Sequence, residues 1–475
     1  MTDQTLRVEA RGIPGRAMMP WLVAVGAYLV LLPLGGQLLN DPDSYTHLVI
    51  GRWIVENRAF PHADMFSATF SGQPWIAKEW LSQVIYAGAY ALGGWNATAL
   101  LAAAAAAAAL GLLAHALLEK FEPLPALGLS MAAFVLAAPH LVARPHALAL
   151  PLMVAWVAGL VRAVDQNRAP SVWLLPLMLL WANMHGGFTL GLALIAPFAL
   201  EGILEDRTTA SGWIGFGVAA ALTACVTPYG PESILVTWRI LGLGEALGII
   251  IEWKPQDFSK LEAFEILLLG GIGFVLFRRV TLSPIRILVL LGLLHLALAH
   301  NRNTEILGLI GPLLFGKPRE EEAPAAPFPL MLRGVVVATL AAAGVFYAAK
   351  HPLTPSVQIT PTAAVAAIER AKAGPIFNDY GFGGYLIYAG VPPFIDGRTE
   401  LYGGDFTARH HHAVTLADLP EFLRLLDEYK IGATLLPPWR PAVALLDRMP
   451  GWERLYADPI AVVHVRRQAP RAHPD

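Results

Sequence analysis

Hydrophobic and polar positions along this chain segregate into long blocks rather than alternating residue by residue. Pro20–Leu39 carries no charge, and neither does Ala97–Leu118, which includes eight consecutive alanines, Ala102–Ala109. Further apolar blocks lie near Leu124–Ala138, Ala147–Val161, Val172–Ala182, Phe188–Leu200, Trp213–Val226, Phe264–Phe277, Ile287–Ala299, Ile306–Phe315 and Val335–Ala349. A helix needs about 20 apolar residues to cross roughly 30 Å of hydrocarbon, so the blocks predict about eleven spans, the shorter ones completed by flanking residues. Pro20–Leu39 is too long for a removed signal peptide and lacks a small-residue cleavage site, so it is a first anchor.

Two segments between blocks are amphipathic instead. Glu79–Trp95 has Lys78, Glu79, Ser82 and Gln83 at its start and Tyr86, Tyr90 and Trp95 along it, a composition suited to the membrane–water interface. Ile234–Ile250 takes the same interfacial reading. After about Thr354 the pattern changes to short apolar runs broken by turn residues. There, Leu419–Tyr429 has helical spacing, while Ala433–Leu436 and Ala461–Arg466 read as strands. The expected fold class is therefore mainly α: a polytopic helical membrane domain over 1–349, with 40–96 as its first outer loop, and a small extracytoplasmic α/β domain over 350–475.

Composition narrows the function. The 475 residues are 55% hydrophobic and 15% charged, against roughly 25% charged in soluble domains, which argues against a soluble enzyme. A formal charge of −2 supplies no field to attract nucleic acid. Cys225, the single cysteine, excludes an intrachain disulfide or a multi-cysteine metal cluster. The bias of Lys and Arg orients the spans. With Arg7, Arg11 and Arg16 in the cytoplasm, Lys120, Arg162, Arg168, Arg207, Arg278, Arg279, Lys317 and Arg319 fall on the same side as basic connectors, and Arg319–Pro329 as a linker. The loops Asn40–Lys78, Pro139–His146, Asn183–Gly187, Thr227–Leu261 and His300–Asn303 then share the outer face. Polar, charged and aromatic residues gather there.

Several of those residues could carry chemistry. Asp41 and Asp43 in LNDPDSYTH form a D-x-D pair just beyond the first span. Such a pair can clamp a divalent cation such as Mg or Mn, or one member can act as a general base. The competing reading is that the pair only stops one helix and caps the next. If the following segment is extended, Asp43, Tyr45 and His47 share a face; if it is helical, Asp43, His47 and Ile50 do. Asp64, Lys78 and Glu79 stand among Phe66, Phe70, Trp75 and Trp80, a mixture that suits sugar stacking or, equally, an interfacial belt. Arg144 and His146, Asn183 and His185, Glu252 and Lys254, and His300 and Arg302 come from the other outer loops. Ionisable groups at that depth are costly, so they stand as binding candidates, with the two arginines suited to a phosphate. Weaker signals are YGFGGY (Tyr380–Tyr385), which lacks dinucleotide spacing, and His410–His412, expected as an exposed cluster. Asp379, Asp396 and Arg398 either line a cleft or pair with each other.

Taken in order, DPDSYTHL, PHADMFS, GQPWIAKEWLSQ, WANMHGGFTLG, TPYG, IEWKPQDF, FNDYGFGGYLI and FIDGRTELYG resemble polytopic bacterial proteins of the GT-C glycosyltransferase superfamily. Protein O-mannosyltransferases, lipid A sugar transferases and oligosaccharyltransferase belong there. The resemblance implies a polyprenyl-phosphate-linked sugar as donor, a lipid, glycan or protein acceptor, and no nucleotide cofactor. It also implies an outer-face site in the bacterial cytoplasmic membrane, with the catalytic carboxylate in the first outer loop at Asp43, beside Asp41. On this reading Asp41 or Glu79 assists it or holds a metal, and Arg144 or Arg302 binds the donor phosphate. Two other classes stay open: a lipid or glycan transporter, disfavoured by the lack of an internal repeat, and a non-catalytic envelope assembly protein using the FIDGRTELYGG region.

Overall fold

The computed structural model describes residues 14–317 and 329–467. Arg7 and Arg11 and the 319–328 part of the expected linker lie outside the described residues. Every apolar block falls on helix. Five helical stretches are long and apolar enough to cross a membrane: Trp80–Leu118, Pro123–His140, Pro145–Asp165, Phe188–Glu205 and Leu330–Lys350. Arg16–Leu31, Val172–Met184 and Pro284–Ala299 are shorter apolar helices. Prolines at the first turn start the Pro123, Pro145 and Pro284 helices, where a missing N–H costs nothing.

The Trp80–Leu118 helix is two helices joined at a break, Gly93 and Gly94, with Gly94 at φ +60°. The break separates 80–92, over the expected interfacial segment, from the alanine-rich 95–118. Alanines 102, 103, 106, 107 and 109 are buried, and their small side chains let Pro14–Leu31 and Pro145–Asp165 approach closely. The Pro145–Asp165 helix is the axis of the bundle, with Trp156, Val157 and Leu160 fully buried along it.

A buried ionic cluster closes the end of that axis remote from Arg144. Asp165 pairs with Lys120 at 2.7 Å and Arg286 at 2.5 Å, and Arg286 reaches Glu201 at 2.9 Å. Lys120 is thus no plain connector: its charge is desolvated and compensated, which an exposed loop would not require. Arg162 likewise pairs with Glu119.

Beyond Lys350, four strands form one sheet in the order β1 (Ile376–Asn378), β2 (Ala433–Leu436), β4 (Val462–Arg466), β3 (Trp452–Ala457). β1 runs parallel to β2, and β4 is antiparallel to both β2 and β3. The helix Leu419–Glu428 buries Phe422, Leu425 and Leu426 in the same core as Phe377 and Leu436. This region docks on the first loop: Thr69 Oγ1 donates to the Phe394 carbonyl at 2.7 Å, and the Ala68 N–H to that of Pro393 at 2.9 Å. Glycine permits the closest approaches. A Cβ at Gly384 would lie 2.0 Å from the Pro42 carbonyl oxygen, and one at Gly397 would lie 1.7 Å from Asp43 Oδ1.

Candidate functional site

The site forms where Asp43–Asn57, the first helix of the outer loop, meets the start of Pro145–Asp165. Proline at 145 drives the preceding residue to extended backbone, and Arg144 has φ −122°, ψ 165°. That places a cation at a helix N-terminus, which the peptide dipoles disfavour. Three carboxylates compensate. Arg144 Nη1 lies 3.2 Å from Asp41 Oδ2 and 3.0 Å from Glu252 Oε1, and Nη2 lies 2.9 Å from Asp43 Oδ2. Glu252 also takes Arg302 Nη1 at 3.1 Å, while the Arg302 guanidinium lies over the Trp253 ring, 5.0 Å from its centroid. Three carboxylates therefore meet around the Arg144 guanidinium, and Arg302 joins them through Glu252, so that five of the expected residues from four separate loops form one cluster.

Asp43 opens its helix, where a negative charge is favoured. Asp41 Oδ1 accepts the Asp43 N–H at 2.8 Å, so Asp41 satisfies the first N–H of the helix as well as joining the cluster. Burial, then the neighbouring carboxylates Asp41, Glu252 and Asp396, push Asp43 up to about 7, although Arg144 pulls the other way. Burial raises Asp41 too. Burial would raise Glu252 as well, but Arg144 and Arg302 hold it down at about 2. One carboxylate in the cluster thus exchanges protons near neutrality, and another stays charged throughout.

His47, one turn after Asp43, carries the site toward Glu79. Its Nδ1 faces Gln83 Nε2 at 3.1 Å, and Nε2 lies 3.9 Å from Glu79 Oε2. On the other side His185 Nε2 lies 3.7 Å from Glu79 Oε1, while its Nδ1 accepts the Gly187 N–H at 3.1 Å. Burial lowers both imidazoles to about 3, so they are neutral. With each Nδ1 accepting, each Nε2–H is directed at the Glu79 carboxylate. His146 sits behind His185, ring centroids 6.2 Å apart, with Nε2 3.1 Å from the His140 carbonyl oxygen.

Other expected residues lie elsewhere. Asp64 has no exposed side-chain surface; it accepts from the Phe66 and Ser67 N–H groups and pairs with Arg398 at 2.6 Å. It holds the loop's shape and cannot reach a sugar. The Arg398 guanidinium stacks on Trp75 and Phe66 at 4.9 and 5.3 Å, and Phe70 packs on Tyr402 and Phe406, so these rings are spent on packing. Lys78 is taken by Glu400 at 2.9 Å. Trp80 Nε1 donates to Asn183 Oδ1 at 2.7 Å, and Asn183 in turn donates to the carbonyls of Leu179 and Val226, which ties two helices to the loop that follows Ala210–Ala224. His300 Nδ1 meets the Trp253 carbonyl at 2.8 Å, a loop fastening. His410 is buried against the Asn378 carbonyl at 2.9 Å rather than in an exposed cluster.

Asp41 and Asp43 do not fit a resident divalent cation as they are arranged. Among the described residues no three metal-ligating side chains are set to hold an ion together. An ion shared by the two aspartates would have to displace the Arg144 guanidinium.

Sequence reasoning passed over Gly397 and Glu305. Gly397 follows Asp396, whose carboxylate takes Arg398 through both oxygens (2.8 and 2.7 Å) and the Tyr402 hydroxyl at 2.6 Å. Those bonds hold the 396–398 turn against Asp43. Glu305 is buried beneath the cluster, 3.8 Å from His146. Its carboxyl had a signal in HNRNTE, an acid directly after the arginine loop.

The chain matches no family model and no curated protein. Among solved structures it is similar to archaeal oligosaccharyltransferase AglB from Archaeoglobus fulgidus, in complex with an inhibitory peptide and a dolichol-phosphate. That alignment has a TM-score of 0.53 and 9% identity, and covers 87% of this chain and 69% of that one. An apo crystal structure of the Archaeoglobus fulgidus oligosaccharyltransferase aligns with a TM-score of 0.49 at 10% identity, over 88% and 69% of the two chains. The AglB likeness is one of fold.

Proposed function

We propose that this chain is a multi-pass membrane glycosyltransferase of the GT-C type, which moves a sugar from a polyprenyl-phosphate donor to an acceptor on the outer face of the bacterial cytoplasmic membrane. The observation that carries this reading is the convergence of Asp41, Asp43, Arg144, Glu252 and Arg302 at one end of an apolar bundle. On this reading the eleven apolar blocks cross the bilayer, the N-terminus is cytoplasmic and the region after Lys350 is outside. The fold likeness to an oligosaccharyltransferase held with a dolichol-phosphate supports the donor class.

The mechanism follows from charge. Arg144 and Arg302 offer paired N–H donors to the donor's phosphate. Asp43, ionised over a useful part of the neutral range, accepts the proton of an acceptor hydroxyl. The freed oxygen attacks the anomeric carbon, the bond from that carbon to the phosphate oxygen breaks, and polyprenyl phosphate leaves with the electron pair. Attack opposite the leaving group inverts the anomeric centre. Charge on the departing phosphate is met by guanidinium groups already fixed in place, which costs no reorganisation at that moment. Arg144 supplies the cation that a metal would otherwise bring, and no step runs through one.

The test is Asp43→Asn in membranes supplied with a polyprenyl-phosphate-linked sugar. Loss of a positioned general base costs about 10²–10⁴-fold in rate. Transfer at the wild-type rate, at normal protein levels, would remove Asp43 from the role.

A further inference from the structure

One carboxylate engages both guanidinium groups of the site. Glu252 accepts from Arg144 Nη1 through both oxygens, each at 3.0 Å, and from Arg302 Nη1 through Oε1 at 3.1 Å. Carboxylate and phosphate oxygens both accept charge-assisted hydrogen bonds from guanidinium N–H groups, so Glu252 stands where a phosphate oxyanion would.

Neither cation depends on Glu252 for its place. Arg144 keeps Asp41 and Asp43, and Arg302 keeps the Trp253 ring. Among the three acids on Arg144, Glu252 has the most exposed side chain, 31% against 15% for Asp41 and 16% for Asp43, and so has water to turn into. Its backbone lies in the one-turn segment Ile251–Trp253, fastened by the Asn301 N–H to the Lys254 carbonyl at 2.9 Å. Rotation of one side chain clears the seat without moving the loop.

We propose that Glu252 is an exchangeable counter-anion, which fills the Arg144–Arg302 seat in the resting protein and is displaced by the phosphate of a prenyl-linked ligand. The proposal rests on those two arginines being the phosphate seat. A resident anion covers the guanidinium N–H groups that its departure would leave open to any other anion. Its return also competes with the departing prenyl phosphate. A seat that is open only part of the time weakens apparent affinity by the open fraction, so an occupancy near nine-tenths would cost about tenfold.

The experiment measures binding of farnesyl phosphate to the full chain in detergent by calorimetry, with inorganic phosphate titrated in parallel. Glu252→Gln keeps the shape and removes the charge, and should bind farnesyl phosphate about tenfold more tightly than wild type. Inorganic phosphate should shift in the same direction; equal gains for both ligands assign the effect to the phosphate seat alone. Glu252→Ala serves if the Gln variant is unstable. Arg302→Met separates the two ideas. If it loses farnesyl phosphate while Glu252→Gln gains nothing, the seat stands and the exchange is refuted. If wild type, Arg302→Met and Glu252→Gln all bind alike, the phosphate seat itself is refuted, and the exchange with it.

Discussion

Gly397→Ala adds one methyl group, far along the chain from the first loop, and should nearly silence the site. The new Cβ would lie 1.7 Å from Asp43 Oδ1, where ordinary contact begins at 3.4 Å. The carboxylate is the end of a side chain and can retreat, so the fold survives, but it must retreat by about 1.5 Å or more. That breaks the 2.9 Å pairing with Arg144 Nη2. Displacing a reacting group by about 1 Å costs roughly 10²-fold, near 2.7 kcal/mol of barrier. The assay is transfer of labelled sugar from a polyprenyl-phosphate donor in membrane vesicles, normalised to protein content, beside a melting curve in detergent. Gly270→Ala is the matched control, because a Cβ there meets nothing within 4 Å. If Gly397→Ala kept more than half of the wild-type rate while folded, contact between the 396–398 turn and Asp43 would be irrelevant to function, and the reasoning would fail.

Further outcomes follow from the charges. Because burial and the neighbouring carboxylates push Asp43 up to about 7, the rate should climb with pH across the neutral range. A flat profile from pH 5 to 9 would refute it. The same group works against stability: raised above its unfolded value near 3.9, it favours folding fully below that pH, and the contribution is lost as pH rises through about 7. Arg398→Met should leave Asp64 and Asp396 buried without their cation, both side chains being fully covered, at a cost of about 3–5 kcal/mol read as a lower melting temperature. Adding Asp64→Asn to that variant should recover part of the loss; a strictly additive pair would contradict the shared network.

Block hydropathy was enough to locate the helices, because a lipid-facing or buried helix must be apolar over most of its length. It could not fix where each helix ends, since the ends of the blocks shade into polar residues. The strands Ala433–Leu436 and Val462–Arg466 were legible as apolar runs. Ile376–Asn378, three residues long, was not, and Trp452–Ala457 is mostly exposed and lacks the expected alternation. Asp41, Asp43, Arg144, Glu252 and Arg302, which the fold brings into one cluster, stood out in the sequence because charge beside hydrocarbon demands a reason. Asp64 misled, because a carboxylate among aromatics looks the same whether it awaits a sugar or holds an arginine 334 positions away. Gly397 was invisible for the opposite cause: its importance is the space it leaves, and only the partner across that space reveals it.

The ionic clusters at the two ends of Pro145–Asp165 set the altitude of the chemistry. Twenty-one residues at 1.5 Å each give a strut of about 31 Å, close to the thickness of the hydrocarbon it would stand in. Pinned at both ends by pairs that are expensive to break in an apolar medium, the strut cannot slide along the bilayer normal. On the proposed function, Asp43 would thereby be kept level with the lipid headgroups, so that a prenyl-linked donor could stay at its own depth during transfer.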